Sequence, residues 1–208
     1  MLIAVIGEVA GNFRSFEAAL KAIENEGIQT ILQTGNLVLG ESGSNESVLL
    51  AESRGLHCVL GEQDRKVVRF QKKKAMIERR MDKDAFDKLR HAHESLRPNS
   101  IEWLQRLPRE RRIELEGIGI LLCGGAPGAA NQVIEKNTPA VRLQRYRENT
   151  DCRLILCGGN GSPFHHRVAD TLFVHPGPVT PNQDRAAYTR VDTEELPWRV
   201  ETVEIDCV

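Results

Sequence analysis

The sequence predicts an α/β fold with parallel strands in its first third and mixed strands later, and three observations carry that expectation. Short apolar runs at 2–7, 30–35 and 57–61 alternate with helical periodicity over 13–26 and 46–54. Two strand–helix units feeding a third strand imply parallel pairing, since consecutive parallel strands need a crossover between them. Each run ends on a glycine followed by a polar residue, at Gly7-Glu8, Gly35-Asn36 and Gly61-Glu62, which sets three loops on the carboxyl edge of a sheet. Open α/β folds place their sites at that edge.

The remaining elements follow in order. From 65 to 107 the pattern becomes charge-rich helix, closing with IEWLQRL before Pro108. RIELEG and GIGILLCGG read as two strands, the second breaking into Gly124 and Gly125, and CRLILCGGNGSPF repeats that design. TLFVHPGPV, AAYTRVD and WRVETVEI supply further strands with period-two character. No linker or internal repeat divides the chain, so a single domain over 1–208 is expected, with a charged helical segment at about 65–107. A net charge of -1, 40% hydrophobic residues and no apolar run of membrane-spanning length describe a globular chain without a membrane partner. The opening MLIAVIG lacks a basic leader region and reads as a first strand, so a cytoplasmic location is expected. The five cysteines contain no CxxC pair, which favours buried free thiols over disulfides or zinc.

Five motifs at the strand ends, taken with what surrounds them, carry a resemblance. They are Gly7-Glu8-Val9-Ala10-Gly11-Asn12, then Gly35-Asn36-Leu37-Val38-Leu39-Gly40, then Gly61-Glu62-Gln63-Asp64, then Gly124-Gly125-Ala126-Pro127, and last Gly158-Gly159-Asn160-Gly161-Ser162-Pro163-Phe164. His175-Pro176-Gly177-Pro178-Val179 follows. In order and spacing the set resembles the small bacterial and archaeal metallophosphoesterases of the calcineurin-like superfamily, nearly end to end. The resemblance implies a four-layer α/β/β/α sandwich of two packed mixed sheets.

It also implies where two metal ions would be held, and there the sequence departs from the family. The aspartate of the first motif falls on Glu8 and its histidine on Ala10, the bridging aspartate on Asn36, and the asparagine of the third motif on Glu62. Three later histidine ligands fall on Gly124, Gly159 and Gly161, and the histidine that would steady a phosphate or protonate a leaving group falls on Gln63. Two-metal phosphoryl chemistry needs several oxygen and imidazole ligands to activate a bridging water, and a glycine has no ligating side chain. The expectation is a degenerate homologue without the dimetal centre, catalytically inactive and serving binding or regulation, with no resident cofactor.

Two alternatives stand beside it. Glu8, Asn36 and Glu62 converge at neighbouring strand ends and offer oxygen ligands to one weakly held divalent cation, magnesium, manganese or calcium. The chain would then be a metal-dependent phosphoesterase or phosphodiesterase with Gln63, His165, His166 or His175 as candidate catalytic groups; His165 and His166, if on a strand, face opposite ways. The other alternative is nucleic-acid binding through 65–80, where eight lysines and arginines meet a single acid, Glu78. Lys72, Lys73 and Lys74 spread around a helix, so that segment reads as a solvated helix or a cap over the carboxyl edge. The glycine-rich turns at 124–131 and 158–163 raise a phosphate-containing ligand as a partner, with Arg65, Arg142 or Arg145 as its charge partners; a protein partner is the other class expected.

Overall fold

The computed structural model describes residues 1–39, 42–182 and 184–207. Strand β1 (Leu2–Ile6) leads into α1 (Phe13–Asn25), β2 (Thr30–Gln33), α2 (Ser44–Ser53) and the short β3 (His57–Cys58). Four helices follow, α3 (Glu62–Val68), α4 (Phe70–Glu78), α5 (Lys83–Ser95) and α6 (Pro98–Arg106). The second half runs β4 (Glu110–Leu115), β5 (Ile118–Cys123), α7 (Ala140–Glu148), β6 (Leu154–Cys157), β7 (Phe164–Val168), β8 (Thr171–His175), β9 (Arg185–Asp192) and β10 (Arg199–Asp206).

The strands form two mixed five-stranded sheets, ordered β10-β9-β1-β2-β3 and β4-β5-β6-β8-β7. As the alternating βα units require, β1, β2 and β3 pair in parallel, and β9 closes antiparallel on β1. In the second sheet β5, β6 and β8 are parallel, flanked by antiparallel β4 and β7. The strand period of two assigns each side chain to a layer. Ile3 and Val5 of β1, Leu32 of β2, Ile120 and Leu122 of β5 and Leu154 and Leu156 of β6 meet in the core between the sheets. Ala4 and Ile6 point the other way, into a core with Phe16 and Leu20 of α1, Val48 of α2 and Leu89 of α5. On the far side Ile155, Cys157 and Phe173 pack on Leu143 of α7. The result is the layered α/β/β/α arrangement, with the central strands buried on both faces and therefore near-continuously apolar.

Two elements were not expected from the sequence, α7 and β7, and the helical segment begins at Glu62 rather than 65. All five cysteines are free and four are buried. Among the described residues no helix is long and apolar enough to cross a membrane. Gly40, the last residue of the second strand-end motif, lies outside the described residues.

Candidate functional site

The ends of β1, β2 and β3 meet through their loops. The N–H groups of Val9 and Ala10 donate to the Asn36 carbonyl at 3.0 and 2.9 Å, and that of Gly11 to the Leu37 carbonyl at 2.9 Å. Ala10, Asn36 and Leu39 have positive φ of 51°, 59° and 87°, a cluster of left-handed non-glycine residues of the kind that gathers at functional edges. Asp64, fully buried on the first turn of α3, ties the loops from beneath: it accepts from the N–H groups of Asn36 (2.8 Å), Gly61 (3.0 Å) and Val38 (3.0 Å). Its reach back to Gly61 is half of a capping box. Burial pushes the Asp64 carboxyl up to about 6, against the opposing pull of those backbone N–H groups.

The side chain of Asn36, 3% exposed, joins the first strand end to the third. Its Nδ2 donates to Glu8 Oε2 at 2.8 Å and its Oδ1 accepts from the Gln63 N–H at 3.0 Å. Glu62 turns to Arg65, whose Nη2 lies 2.8 Å from Oε1 and 2.7 Å from Oε2; the second contact is an ion pair without hydrogen-bond geometry, so Oε2 is buried without a hydrogen bond. Thus the structure brings Glu8, Asn36 and the backbone of Gln63 together, and holds the Glu62 carboxylate on a guanidinium. A cavity of about 320 Å³ opens here, between Glu8, Ala10 and Leu39 on the strand-end side and Gln63, Lys66 and Lys88 on the helices. The helical segment does wall the carboxyl edge.

The other half of the edge is closed by backbone at Gly124 and by side chains at Gly159 and Gly161. A Cβ built at Gly124 would stand 2.4 Å from the Leu60 carbonyl oxygen, so the chain leaves no room for a side chain. Gly159 has φ +109°, hostile to any L side chain, and its Cβ would meet Val133 at 2.7 Å. Gly161 lies under the His175 ring, 3.3 Å from where its own Cβ would be. His175 is 1% exposed, stacks on Phe164, and accepts the Gly177 N–H at Nδ1 (3.1 Å). Its Nε2 makes no hydrogen bond of good geometry, although the Gly159 carbonyl lies near enough to act on it. Burial lowers its pKa to about 4, so the ring is neutral at pH 7. His165 and His166 sit exposed on the edge strand β7. The glycine turn after β5 turns its own N–H groups inward: Ala126 donates to the Gln132 carbonyl at 2.7 Å, and the Gly128 N–H meets the Glu110 carboxylate. Arg142 is held by Tyr146 and Gln132.

Among the described residues no three histidines, cysteines or acids stand close enough to hold a metal ion. The donors present do not fit a two-metal centre. Asn36 is committed to Glu8 and Gln63, Glu62 to Arg65, and the three glycines bring no ligand, at least one of them for want of space.

Solved structures share this architecture at low identity. The hypothetical protein PH1004 of Pyrococcus horikoshii OT3 matches with a TM-score of 0.79 and 20% identity, over 99% of this chain and 88% of that one. A metallophosphoesterase of Sphaerobacter thermophilus matches at 0.70 and 16% identity, over 99% and 89%. An archaeal phosphodiesterase matches at 0.56 and 10% identity, over 98% and 100%. No curated protein matches the sequence significantly. The calcineurin-like phosphoesterase superfamily domain matches residues 1–196. With the motif order, the two mixed sheets and that match in agreement, the chain belongs to the calcineurin-like phosphoesterase superfamily.

Proposed function

We propose that this protein is a binding or regulatory member of its superfamily, which has kept the phosphoesterase scaffold as one domain and does not run the two-metal reaction. The observation that carries the reading is Asn36. Where the family's bridging aspartate falls, an amide side chain takes the Gln63 N–H on its oxygen and gives its own N–H to Glu8, so protein-to-protein hydrogen bonds link the strand ends. An aspartate there would set two carboxylates against each other without a cation between them; an asparagine makes the pair self-sufficient. Buried, neutral His175 supports the same reading, since a ring that is 1% exposed and not an imidazolium at pH 7 is poorly placed to protonate a leaving group. Five free cysteines fit work in the reducing cytoplasm.

The test is metal content by elemental mass spectrometry on protein purified without chelator, with hydrolysis of bis-p-nitrophenyl phosphate in added manganese. The expected outcome is no stoichiometric metal and background hydrolysis that Glu8→Ala leaves unchanged. About one metal ion per chain, with Glu8→Ala removing both metal and turnover, would replace this reading with a mononuclear hydrolase.

A further inference from the structure

Beside the cavity at the strand ends lies a second, of about 200 Å³, which shares Lys66, Met81 and Leu89 with it. The two make one groove from the strand-end loops across α3, α4 and α5. Its floor is apolar, with Val38, Leu39 and Leu89 under the first part and Met76, Ile77 and Met81 under the second. Along α3, α4 and α5 its rim is cationic, with Glu8 at the strand-end extremity. Arg65, Arg69 and Lys73 follow at four-residue steps across the junction of α3 and α4, where the i→i−4 spacing is kept: the Arg69 N–H donates to the Arg65 carbonyl at 3.2 Å and the Lys73 N–H to the Arg69 carbonyl at 3.1 Å. Residues at that spacing share one helix face. Lys88 of α5 adds a further charge along the groove.

These charges are mostly uncompensated. Arg65 pairs with Glu62, but Arg69, Lys73 and Lys88 form no ion pair with a described residue. Met76 is 41% exposed, while Ile77 and Leu89 beside it are buried. An apolar floor between cationic rims calls for an occupant with an apolar ridge and acidic flanks, and a concave surface calls for a convex one. Duplex nucleic acid offers phosphates but no apolar ridge, and a bilayer is too flat to fill a groove. An amphipathic helix with acids on its polar side meets every requirement.

We propose that this groove docks an acidic amphipathic helix of a partner protein, with its apolar ridge on Leu39, Met76 and Met81 and its acids facing Arg69, Lys73 and Lys88. The inference rests on the reading of this edge as a binding surface and adds the class of partner.

The probe is a fluorescein-labelled synthetic helix of about 18 residues, a leucine stripe flanked on both sides by glutamates, with a shuffled isomer of the same composition as control. Fluorescence anisotropy is read at about 0.15 M salt, where long-range charge effects are screened, with EDTA present throughout. The patterned helix is expected to bind at least about tenfold more tightly than the shuffled one. Charge reversal by Arg69→Glu with Lys73→Glu weakens it at least about tenfold. Met76→Lys, which adds a cation but removes floor, weakens it too, and Arg145→Glu on α7 leaves it unchanged. Arg69, Lys73 and Met76 are exposed, and circular dichroism is used to check that the variants fold. The proposal is overturned by no binding of the patterned helix up to about 1 mM, by equal binding of the shuffled isomer, by tighter binding to Met76→Lys, or by a preference for phosphatidylserine vesicles or single-stranded RNA. Phosphodiester hydrolysis in manganese would overturn the proposed function while leaving the anisotropy result as it stands.

Discussion

Asp64 gathers three backbone N–H groups from two loops onto one carboxylate. Asp64→Asn would turn an NH₂ toward donors that need an acceptor, and the expected loss is roughly 3 kcal/mol of stability, read as a lower urea midpoint. His175 gives a pH signature. Its pKa falls from 6.5 in the unfolded chain to about 4 in the fold, because burial disfavours the imidazolium. Its contribution is therefore fully present above pH 6.5 and is lost as the pH falls toward 4, by up to about 3 kcal/mol. Asp64, whose carboxyl is raised from 3.8 to about 6, adds stability as the pH falls over the same window, so the His175 slope is read as the difference between wild type and His175→Asn in urea titrations from pH 7 to 4. Sequence reasoning found the strand-end residues because glycine-punctuated motifs keep their order. It could not find that Asn36 has partners on both sides, or that Leu60 crowds Gly124, because those facts depend on backbone from strands far apart in the chain.

The elements divide by how much apolar surface they bury. The strands of both sheet centres are buried on two faces and announced themselves as continuous apolar runs; α1, with Phe16, Ala19, Leu20 and Ile23 on one face, announced itself by period. Helix α7 buries only Leu143, and β7 is an exposed edge strand holding two histidines, so neither carried a hydrophobic pattern to read. The helical segment carries α5 into the main core through Phe86, Leu89 and Ala92. Leu89, 1% exposed, links that core to the groove floor. Leu89→Ala should cost about 3 kcal/mol in chemical unfolding. Its effect on peptide docking should be smaller than that of Met76→Lys, since it deepens the groove without charging it.

At the scale of the molecule, hydrogen bonds, apolar layers and ion pairs account for the joining of the strand ends and sheets. Tyr188 of β9 donates to Glu26 beyond α1 at 2.7 Å, and Arg190 reaches the same carboxylate at 3.0 Å, closing the first sheet onto its helix layer. If no bound ion contributes to folding, EDTA should leave the melting temperature within about 1 °C of its value in manganese, whereas a ligand bound to the native state alone would raise it. Differential scanning fluorimetry decides this. The nearness of Leu60 to Gly124 bears finally on what can be engineered here. A histidine placed at position 124 would collide with the main chain before it ligated anything, so a ligand there requires the backbone at Leu60 to move with it. New chemistry is more readily installed on surfaces that still have room.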